Sequence, residues 1–318
     1  MAEWRKKEKM DLIPAWEKKH GERIELSKKL YPSCICGDDK YDRPIVVARM
    51  GMIPAKEFVE TFTKEEWDMH HKWRMEKTIE LLRKRSIALK KPITQLIVIL
   101  DMEGIGFPFR HMMPYMKMTS AVDKQNYPEI VGNIFCVNTP WIVPVLFRVI
   151  SPFIDARTKE KIIVSAKVDP KAFEVVGEEV MPKAYGGKSP VELPGGDAKK
   201  KGKEKEGEDD DLAVNRSVAA GGNYTFVKKC SDPRGGKYIW AMKLRAYDVS
   251  LRIAWTPDGA EEATSVANVE KVAQHEGEFE VKSAGSLHFT FDNSYSYFRS
   301  KEVQCAIEFF PTDAKEAA

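Results

Sequence analysis

Long uncharged stretches are scarce in this sequence of 318 residues. The longest one runs between Glu129 and Arg148, and Gly132, Pro140 and Pro144 interrupt it. A membrane-spanning helix needs roughly 20 consecutive apolar residues, which this run does not provide. The opening residues, MAEWRKKEKM, carry charges where a secretory signal needs an apolar segment. We therefore expect a soluble, cytoplasmic protein without a spanning helix.

Cysteine is also sparse, since the five residues of this type are odd in number and scattered. A secreted disulfide framework is denser and usually even in number, so a reducing compartment fits better. Cys34 and Cys36 are separated by one residue, but no second pair and no histidine cluster accompanies them, as a zinc site would require. We expect no bound metal, and we expect the two thiols on opposite faces of a strand.

An excess of one charge sign is missing as well. The 51 Lys and Arg residues nearly balance 48 Asp and Glu residues, which argues against a nucleic-acid partner. The sequence has no Gly-x-Ser-x-Gly elbow, no phosphate-binding loop and no dinucleotide fingerprint. The adjacent His70 and His71 would point about 100° apart on a helix and would chelate a metal poorly. These absences predict a non-enzymatic protein without a cofactor.

What the sequence has is two halves that flank a segment unable to fold. Residues 192–211 read ELPGGDAKKKGKEKEGEDDD, with no aromatic residue and a single leucine. Such a segment cannot offset its ordering entropy by burying apolar surface. We predict a charged, disordered linker over residues 191–212, and a tether rather than a binding tail because its charges have both signs.

The first half alternates short apolar runs with helical patterns. The runs at residues 44–50, 96–100, 133–137 and 161–166 are typical of parallel strands buried on both faces. Their alternation with helices predicts an α/β domain in which helices cover a sheet.

The sequence indicates where two of the intervening helices begin. Thr63 followed by Glu66 indicates an N-cap for a helix that reaches Leu89. Met75, Ile79, Leu82 and Leu89 fall on one apolar stripe of it. A second helix can begin at Pro140, since proline is tolerated in a first turn.

The second half has a period of two. Its alternating residues predict four strands that each bury one face: Tyr238, Trp240, Met242 and Leu244; Val249, Leu251, Ile253 and Trp255; Leu287, Phe289 and Phe291; Val303, Cys305, Ile307 and Phe309. Several such strands separated by turn-rich segments predict an all-β sandwich.

Six short motifs follow one another in the first half. They are DKYDRP at residues 39–44, LDMEG at 100–104, NYPE at 126–129, VNTP at 137–140, PFIDARTKEKI at 152–162 and PKAYGG at 182–187. In this order they resemble the CRAL-TRIO family of lipid-transfer proteins, whose domain we place at residues 31–190. Residues 1–30 would be the remnant of the helical region that precedes it. Asp42 stands where the family usually has Gly, and Asp tolerates left-handed geometry.

A second resemblance lies near the carboxyl end. Residues 291–301 (FDNSYSYFRSK) look like the closing hairpin of a GOLD domain, a module that follows CRAL-TRIO in several relatives. We place a GOLD-type sandwich at residues 213–313. The residues alone indicate only a turn between two aromatic-rich strands.

The CRAL-TRIO resemblance implies an apolar pocket for one lipid, closed by a helix that opens at a membrane. Residues 140–154 would form this gate. Its apolar residues are Ile142, Val145, Leu146, Val149, Ile150 and Phe153. A helix that is apolar nearly all round is buried or contacts lipid, so a core helix is an equal alternative from sequence.

The resemblance also implies head-group contacts. Relatives that carry phosphatidylinositol use an Arg near the start, the Glu of Tyr-Pro-Glu, and a Thr and a Lys after the gate. The matching residues here are Arg5, Glu129, Thr158 and Lys161. Cations and a hydroxyl suit a phosphodiester, and a carboxylate can accept hydrogen bonds from inositol. Taken singly, Glu129 could instead cap a helix and Thr158 could be an N-cap.

The leading hypothesis is therefore non-enzymatic binding and transfer, or presentation, of phosphatidylinositol between membranes that the protein contacts transiently. Residues 104–107 (GIGF) stand where relatives that also hold phosphatidylcholine place Ser or Thr, which argues against that lipid. One alternative is a carrier of a neutral, tocopherol-like hydrophobe. The other is a lipid-sensing trafficking adaptor whose GOLD-type domain recruits a protein partner.

Overall fold

A computed structural model describes residues 2–195 and 213–311, which belong to two compact units. The first unit contains every residue up to Glu204 and the second begins at Lys205. Most of the predicted linker, residues 196–212, lies outside the described residues. Within the described ranges, no helix is both long enough and apolar enough to cross a membrane.

The first unit starts with three short helices and continues with a five-stranded sheet. The helices are α1 (Ala2–Lys7), α2 (Ile13–Lys19) and α3 (Gly21–Leu30). The strands are β1 (Ser33–Asp38), β2 (Pro44–Arg49), β3 (Leu96–Asp101), β4 (Val131–Val137) and β5 (Ile162–Val164). They lie side by side in that order, with β1 antiparallel to β2 and the others parallel. The four predicted strands are thus confirmed.

Six more helices connect or follow these strands. They are α4 (Ala55–Thr61), α5 (Lys64–Leu89), α6 (Met113–Asn126), α7 (Val143–Ile150), α8 (Ala156–Glu160) and α9 (Pro170–Val176). The parallel strands step across the sheet in one direction, so right-handed crossovers place α5, α6 and α7 over the same face.

The opposite face of the sheet is closed. Its fully buried residues Ile45, Val47, Ile97, Ile99 and Phe135 pack against α9 and against the segment after it. That segment includes Val191 and Leu193, which the composition had placed at the start of the linker. Both residues are half-buried against this core, so the first unit extends past the predicted start of the linker.

The start of α5 agrees with its prediction. Thr63 and Glu66 form a reciprocal capping box, in which the Thr63 hydroxyl accepts from the Glu66 backbone N–H at 3.1 Å. The predicted stripe is only partly right, because Leu82 is buried whereas Ile79 and Leu89 are exposed. A helix of 26 residues is about 39 Å long and a six-residue strand about 20 Å, so α5 is about twice as long as β3.

Two further expectations need correction. The helix after β4 begins at Val143, with Pro144 rather than Pro140 in its first turn. Cys34 and Cys36 contact the same core rather than opposite faces, because residues two apart in a strand point to one side. Asp42 does adopt the left-handed geometry expected of it, with a φ of 64°.

The second unit is an antiparallel sandwich, as the alternation predicted. Its strands are β6 (Ala213–Val218), β7 (Asn223–Cys230), β8 (Gly236–Leu244), β9 (Val249–Pro257), β10 (Thr264–Val272), β11 (Gln274–Val281), β12 (Gly285–Asp292) and β13 (Lys301–Pro311). They form one sheet in the order β10-β9-β12-β7 and another in the order β11-β8-β13-β6. All of the predicted inward residues are buried between these sheets except Phe309, which is half-buried against them.

The predicted hairpin at residues 291–301 is wrong. Strand β12 is bonded on both sides, by β7 and β9, so it has no edge left for β13. The eight-residue connection 293–300 instead carries the chain from one sheet to the other.

Candidate functional site

The sheet face beneath α5, α6 and α7 keeps accessible apolar surface. Val46, Val98 and Ile134 lie side by side in neighbouring strands and are only half-buried, as is Leu100. Central parallel strands are usually buried on both faces. Here the residues that face α9 are fully buried, whereas these four are not. The difference between the faces indicates space above an apolar floor, which we define as these four residues.

Helix α7 presents one apolar stripe to the body of the unit. Ile142, Leu146 and Ile150, spaced by four residues, are all buried, and α7 packs against α6. Phe153 follows in a single helical turn and is half-buried, with the Lys117 ammonium 4.7 Å from its ring centroid. The other two predicted gate residues, Val145 and Val149, belong to α7, but their side chains lie outside the described part of the structure.

Glu129 and Lys161 meet at the edge where β4 and β5 begin. The Lys161 Nζ donates to Glu129 Oε2 at 2.6 Å and to the Val131 carbonyl at 2.9 Å. Arg157 NH1 lies 3.5 Å from Glu129 Oε1. The hydrogen bond from Lys161 lowers the pKa of Glu129, so the carboxylate is held ionised. Two cations and one acid leave this cluster with one positive charge in excess.

Thr158 lies one turn before Lys161, in α8. Its carbonyl accepts from the Lys161 backbone N–H at 3.0 Å, and its own N–H donates to Asp155 Oδ1 at 3.0 Å. The N-cap of α8 is therefore Asp155, and the alternative that assigned this role to Thr158 is wrong. Glu129 does not cap a helix either, because β4 follows it and its own φ of 60° makes the turn into that strand.

Arg5 stands apart from this cluster but is connected to the same motif. Its guanidinium forms two hydrogen bonds to Glu76 in α5, of 2.8 and 2.7 Å. The Tyr127 hydroxyl also donates to Glu76, at 3.1 Å, and the Trp4 ring meets the Tyr127 ring edge-on. Hydrogen bonding to Glu76 raises the pKa of Arg5. Arg5 and Tyr127 thus share Glu76 as a hydrogen-bond acceptor, and Tyr127 lies two residues before Glu129 in the chain.

Two residues of this arrangement escaped the sequence reasoning. Glu76 belongs to none of the six motifs, and its role depends on a partner 71 residues away. Arg157 does lie in the motif at residues 152–162, one position before Thr158, and its charge could have been included with that of Lys161.

An open groove of about 730 Å³ adjoins the cluster. It is lined by the last turns of α5, the loop after that helix and the residues around Pro128 and Ile130. Ile79 and Ile87 line it as exposed apolar side chains, and Arg83 contributes a cation. The groove lies next to Glu129 in sequence and is distinct from the apolar floor.

Several of the six motifs meet at one buried carboxylate, Asp101. It accepts from Asn138 Nδ2 at 3.0 Å, from the Tyr185 hydroxyl at 3.1 Å and from the Glu103 N–H at 3.1 Å. Buried Arg49 lies 3.6 Å away. Burial and the Asp101 charge raise the pKa of Tyr185, so its hydroxyl remains a donor. These contacts join three of the six motifs inside the domain.

Comparison with known proteins gives a consistent result. Residues 28–187 match the family described as CRAL/TRIO domain. The chain is 29% identical over 191 residues to phosphatidylinositol/phosphatidylcholine transfer protein SFH12 of Arabidopsis thaliana, which covers 59% of this chain and 35% of that protein. It is 28% identical over 194 residues to SEC14 cytosolic factor of Eremothecium gossypii, which covers 59% and 61%. The crystal structure of Sfh5 superposes with a TM-score of 0.41 and 18% identity, over 52% of this chain and 56% of that one.

The matched region coincides with the features described above. It contains the whole five-stranded sheet, all six motifs and the cluster around Glu129 and Lys161. The chain spans less than two thirds of the length of either curated relative. Since the match covers half of the sequence, the chain belongs to the CRAL/TRIO domain family.

Proposed function

We propose that the first unit binds one phospholipid molecule, phosphatidylinositol, and transfers or presents it between membranes without catalysing a reaction. The observation that carries this proposal is an accessible apolar floor in the same unit as a cation-rich cluster. Acyl chains need the first feature and a phosphodiester needs the second.

The head group, rather than the acyl chains, should select the lipid. A methylene gains roughly 0.8 kcal/mol on leaving water, but the chains exchange a bilayer for the pocket, so this term nearly cancels. The net positive charge at Arg157, Lys161 and Glu129 favours an anion. Glu129 can accept from inositol hydroxyls, and the Lys161 ammonium can donate to the phosphate. The SFH12 and SFH7 relatives are named as phosphatidylinositol/phosphatidylcholine transfer proteins, which supports a phospholipid ligand and includes phosphatidylinositol.

Helix α7 is the gate in this proposal. Its buried stripe of Ile142, Leu146 and Ile150 holds it against the unit in the absence of a membrane. Outward movement would expose that stripe to lipid and open the floor. Arg5 would bind the phosphate only after breaking its two hydrogen bonds to Glu76.

The decisive experiment compares Lys161→Ala with Lys188→Ala, because Lys188 is also a lysine ion-paired to glutamates in the first unit. Loss of one charge-assisted hydrogen bond should weaken phosphatidylinositol binding and transfer roughly ten- to hundred-fold for Lys161→Ala and leave Lys188→Ala unchanged. Transfer of a fluorescent tocopherol analogue should be unaffected in both variants. Equal losses for the two ligands would reject a head-group role for Lys161, and mass spectrometry of co-purified lipid gives an independent check.

The assignment of residues 213–313 to the GOLD type belongs to the same proposal. It rests on the resemblance of the sequence at residues 291–301 and on the antiparallel sandwich, although that segment is not a hairpin. We likewise propose a cytoplasmic protein that associates with membranes transiently. A protein partner of the second unit is the competing role for that unit.

A further inference from the structure

We propose that one end of the second unit is a membrane-docking tip that inserts aromatic side chains into an interface containing anionic lipids. The strand directions gather four connections at this end: residues 219–222, residues 245–248, Ala273 and residues 293–300. We call this the aromatic end. The inference concerns the second unit alone and does not depend on the lipid proposed for the first.

The aromatic end exposes large apolar side chains that the rest of the unit does not. Tyr297 and Phe298, adjacent in the connection 293–300, are 87% and 95% exposed. Tyr247 and Tyr295 are exposed beside them, whereas Val227 is the other large hydrophobic residue exposed among residues 213–311. Clustered exposed apolar groups mark an interaction site, while single ones need no explanation.

The connection that carries the two rings is held firmly at its base. Asn293 is completely buried, and its Nδ2 donates to the carbonyls of Val218, Ala219 and Arg299 at 3.0 to 3.1 Å. The Ser294 N–H also donates to Asp292 Oδ1 at 2.9 Å. These hydrogen bonds join the start of the connection to β6, to the residue after β6 and to Arg299 near its own end. They limit the directions in which Tyr297 and Phe298 can project, so docking requires little ordering of this connection.

The connections of the aromatic end contain two bases, Arg245 and Arg299, and one acid, Asp248. Arg299 follows Phe298 directly and stacks on Tyr247 at 4.6 Å, and Lys271 lies 5.5 Å from the Tyr295 ring. The acid in these connections, Asp248, is bound by the Tyr295 hydroxyl and by Lys301. Lys271 and Glu270 lie on strand β10, and Lys301 and Glu302 lie on strand β13, so these four charges balance one another.

The opposite end of the sandwich has the reverse character. Its connections contain four acids and two bases, namely Asp232, Asp258, Glu261 and Glu262 with Arg234 and Lys282. The connections at this end therefore carry a net negative charge, unlike those at the aromatic end. Tyrosine together with Lys and Arg is the composition that favours the interface of a membrane carrying anionic lipids.

The small contact area favours a membrane over a protein partner. Each ring can bury about 150–250 Å², so the two protruding rings fall short of the roughly 800 Å² per side of a stable protein interface. A lipid interface accepts single protruding rings without a complementary surface.

The test uses the full chain with vesicles of phosphatidylcholine, alone or with a fraction of phosphatidylserine. Tyr297→Ser combined with Phe298→Ser should weaken co-sedimentation at least about ten-fold. Lys271→Ala combined with Arg299→Ala should remove most of the preference for phosphatidylserine. Val227→Ser, which removes an exposed apolar side chain from strand β7, is the matched control and should bind as the original chain does.

A local reporter keeps the result decisive if the first unit also binds vesicles. Phe298→Cys carrying an environment-sensitive dye should shift its emission to the blue on vesicle addition, while the same labelling of the original chain, whose thiols are buried or half-buried, should not. Absence of that shift would overturn the proposal. Unchanged co-sedimentation of the variant that combines Tyr297→Ser with Phe298→Ser would also overturn it, provided that this variant keeps the thermal stability of the original chain. Loss of a captured protein with unchanged vesicle binding would overturn it in favour of a protein partner. The vesicles contain no phosphatidylinositol, so failure of this test is distinguishable from failure of the proposed function.

Discussion

At the scale of single residues, the motifs of this family are explained mainly by buried polar contacts. Asp101 has little access to water, and it satisfies donors from three separate segments of the chain. Buried polar groups of this kind are tolerated because they are fully hydrogen-bonded. Arg49 completes the arrangement, and its NH1 also donates to the Pro194 carbonyl at 3.1 Å.

Asp101→Ala should destabilise the first unit by about 3–5 kcal/mol, because it leaves the buried Arg49 cation without its carboxylate. Asp169→Ala is a suitable control, since Asp169 is an N-cap of α9 whose loss should cost about 1 kcal/mol. Urea unfolding followed by the helical circular dichroism signal measures both, as the helices of residues 2–195 and 213–311 all lie in the first unit. Equal, small losses in the two variants would contradict a central role for Asp101.

At the scale of elements, the amino-terminal helices are attached to α5 by charge as well as by packing. Arg5 pairs with Glu76, Glu8 with Lys72 and Glu17 with Lys77. Lys72 is buried, and the hydrogen bonds that its ammonium donates to Asp68 and Glu8 outweigh its desolvation and raise its pKa. The attachment therefore extends over about one and a half turns of α5.

Glu76→Gln should loosen α1 without unfolding the unit. The Arg5 and Glu76 side chains are 38% and 17% exposed, so solvent screening limits their pair to about 1 kcal/mol or less. Hydrogen exchange of the Lys7 and Glu8 amides should accordingly rise up to about five-fold.

Glu80→Gln provides the matched control, because Glu80 lies one turn further along α5 and pairs with Lys84 and Lys77 within that helix rather than with α1. Exchange of α1 should be unchanged in that variant. Equal exchange in Glu76→Gln and in the original chain would show that packing alone holds α1.

At the scale of the whole molecule, each unit has a core of its own. The first is built on the sheet face beneath α9, and the second lies between the two antiparallel sheets. Residues 196–212 connect them in sequence, and their composition predicts a tether.

Removal of Lys199 to Glu206 should therefore leave the thermal midpoints and lipid transfer close to those of the original chain. A Gly/Ser segment of the original length in place of these residues is the control for length. Impaired transfer in both variants would mean that the charged segment binds something, and impairment in the shortened chain alone would mean that its length matters.

The sequence by itself determined the elements and the family. Apolar runs predicted the parallel strands, alternation predicted the inward residues of the sandwich, and six ordered motifs indicated CRAL-TRIO, because all of these depend on residues close together in the chain. Only the tertiary structure decided that Lys161 meets Glu129, that Glu76 holds Arg5, and that β12 and β13 belong to different sheets. Those contacts join residues many positions apart, and they depend on how finished elements pack, which local periodicity does not encode.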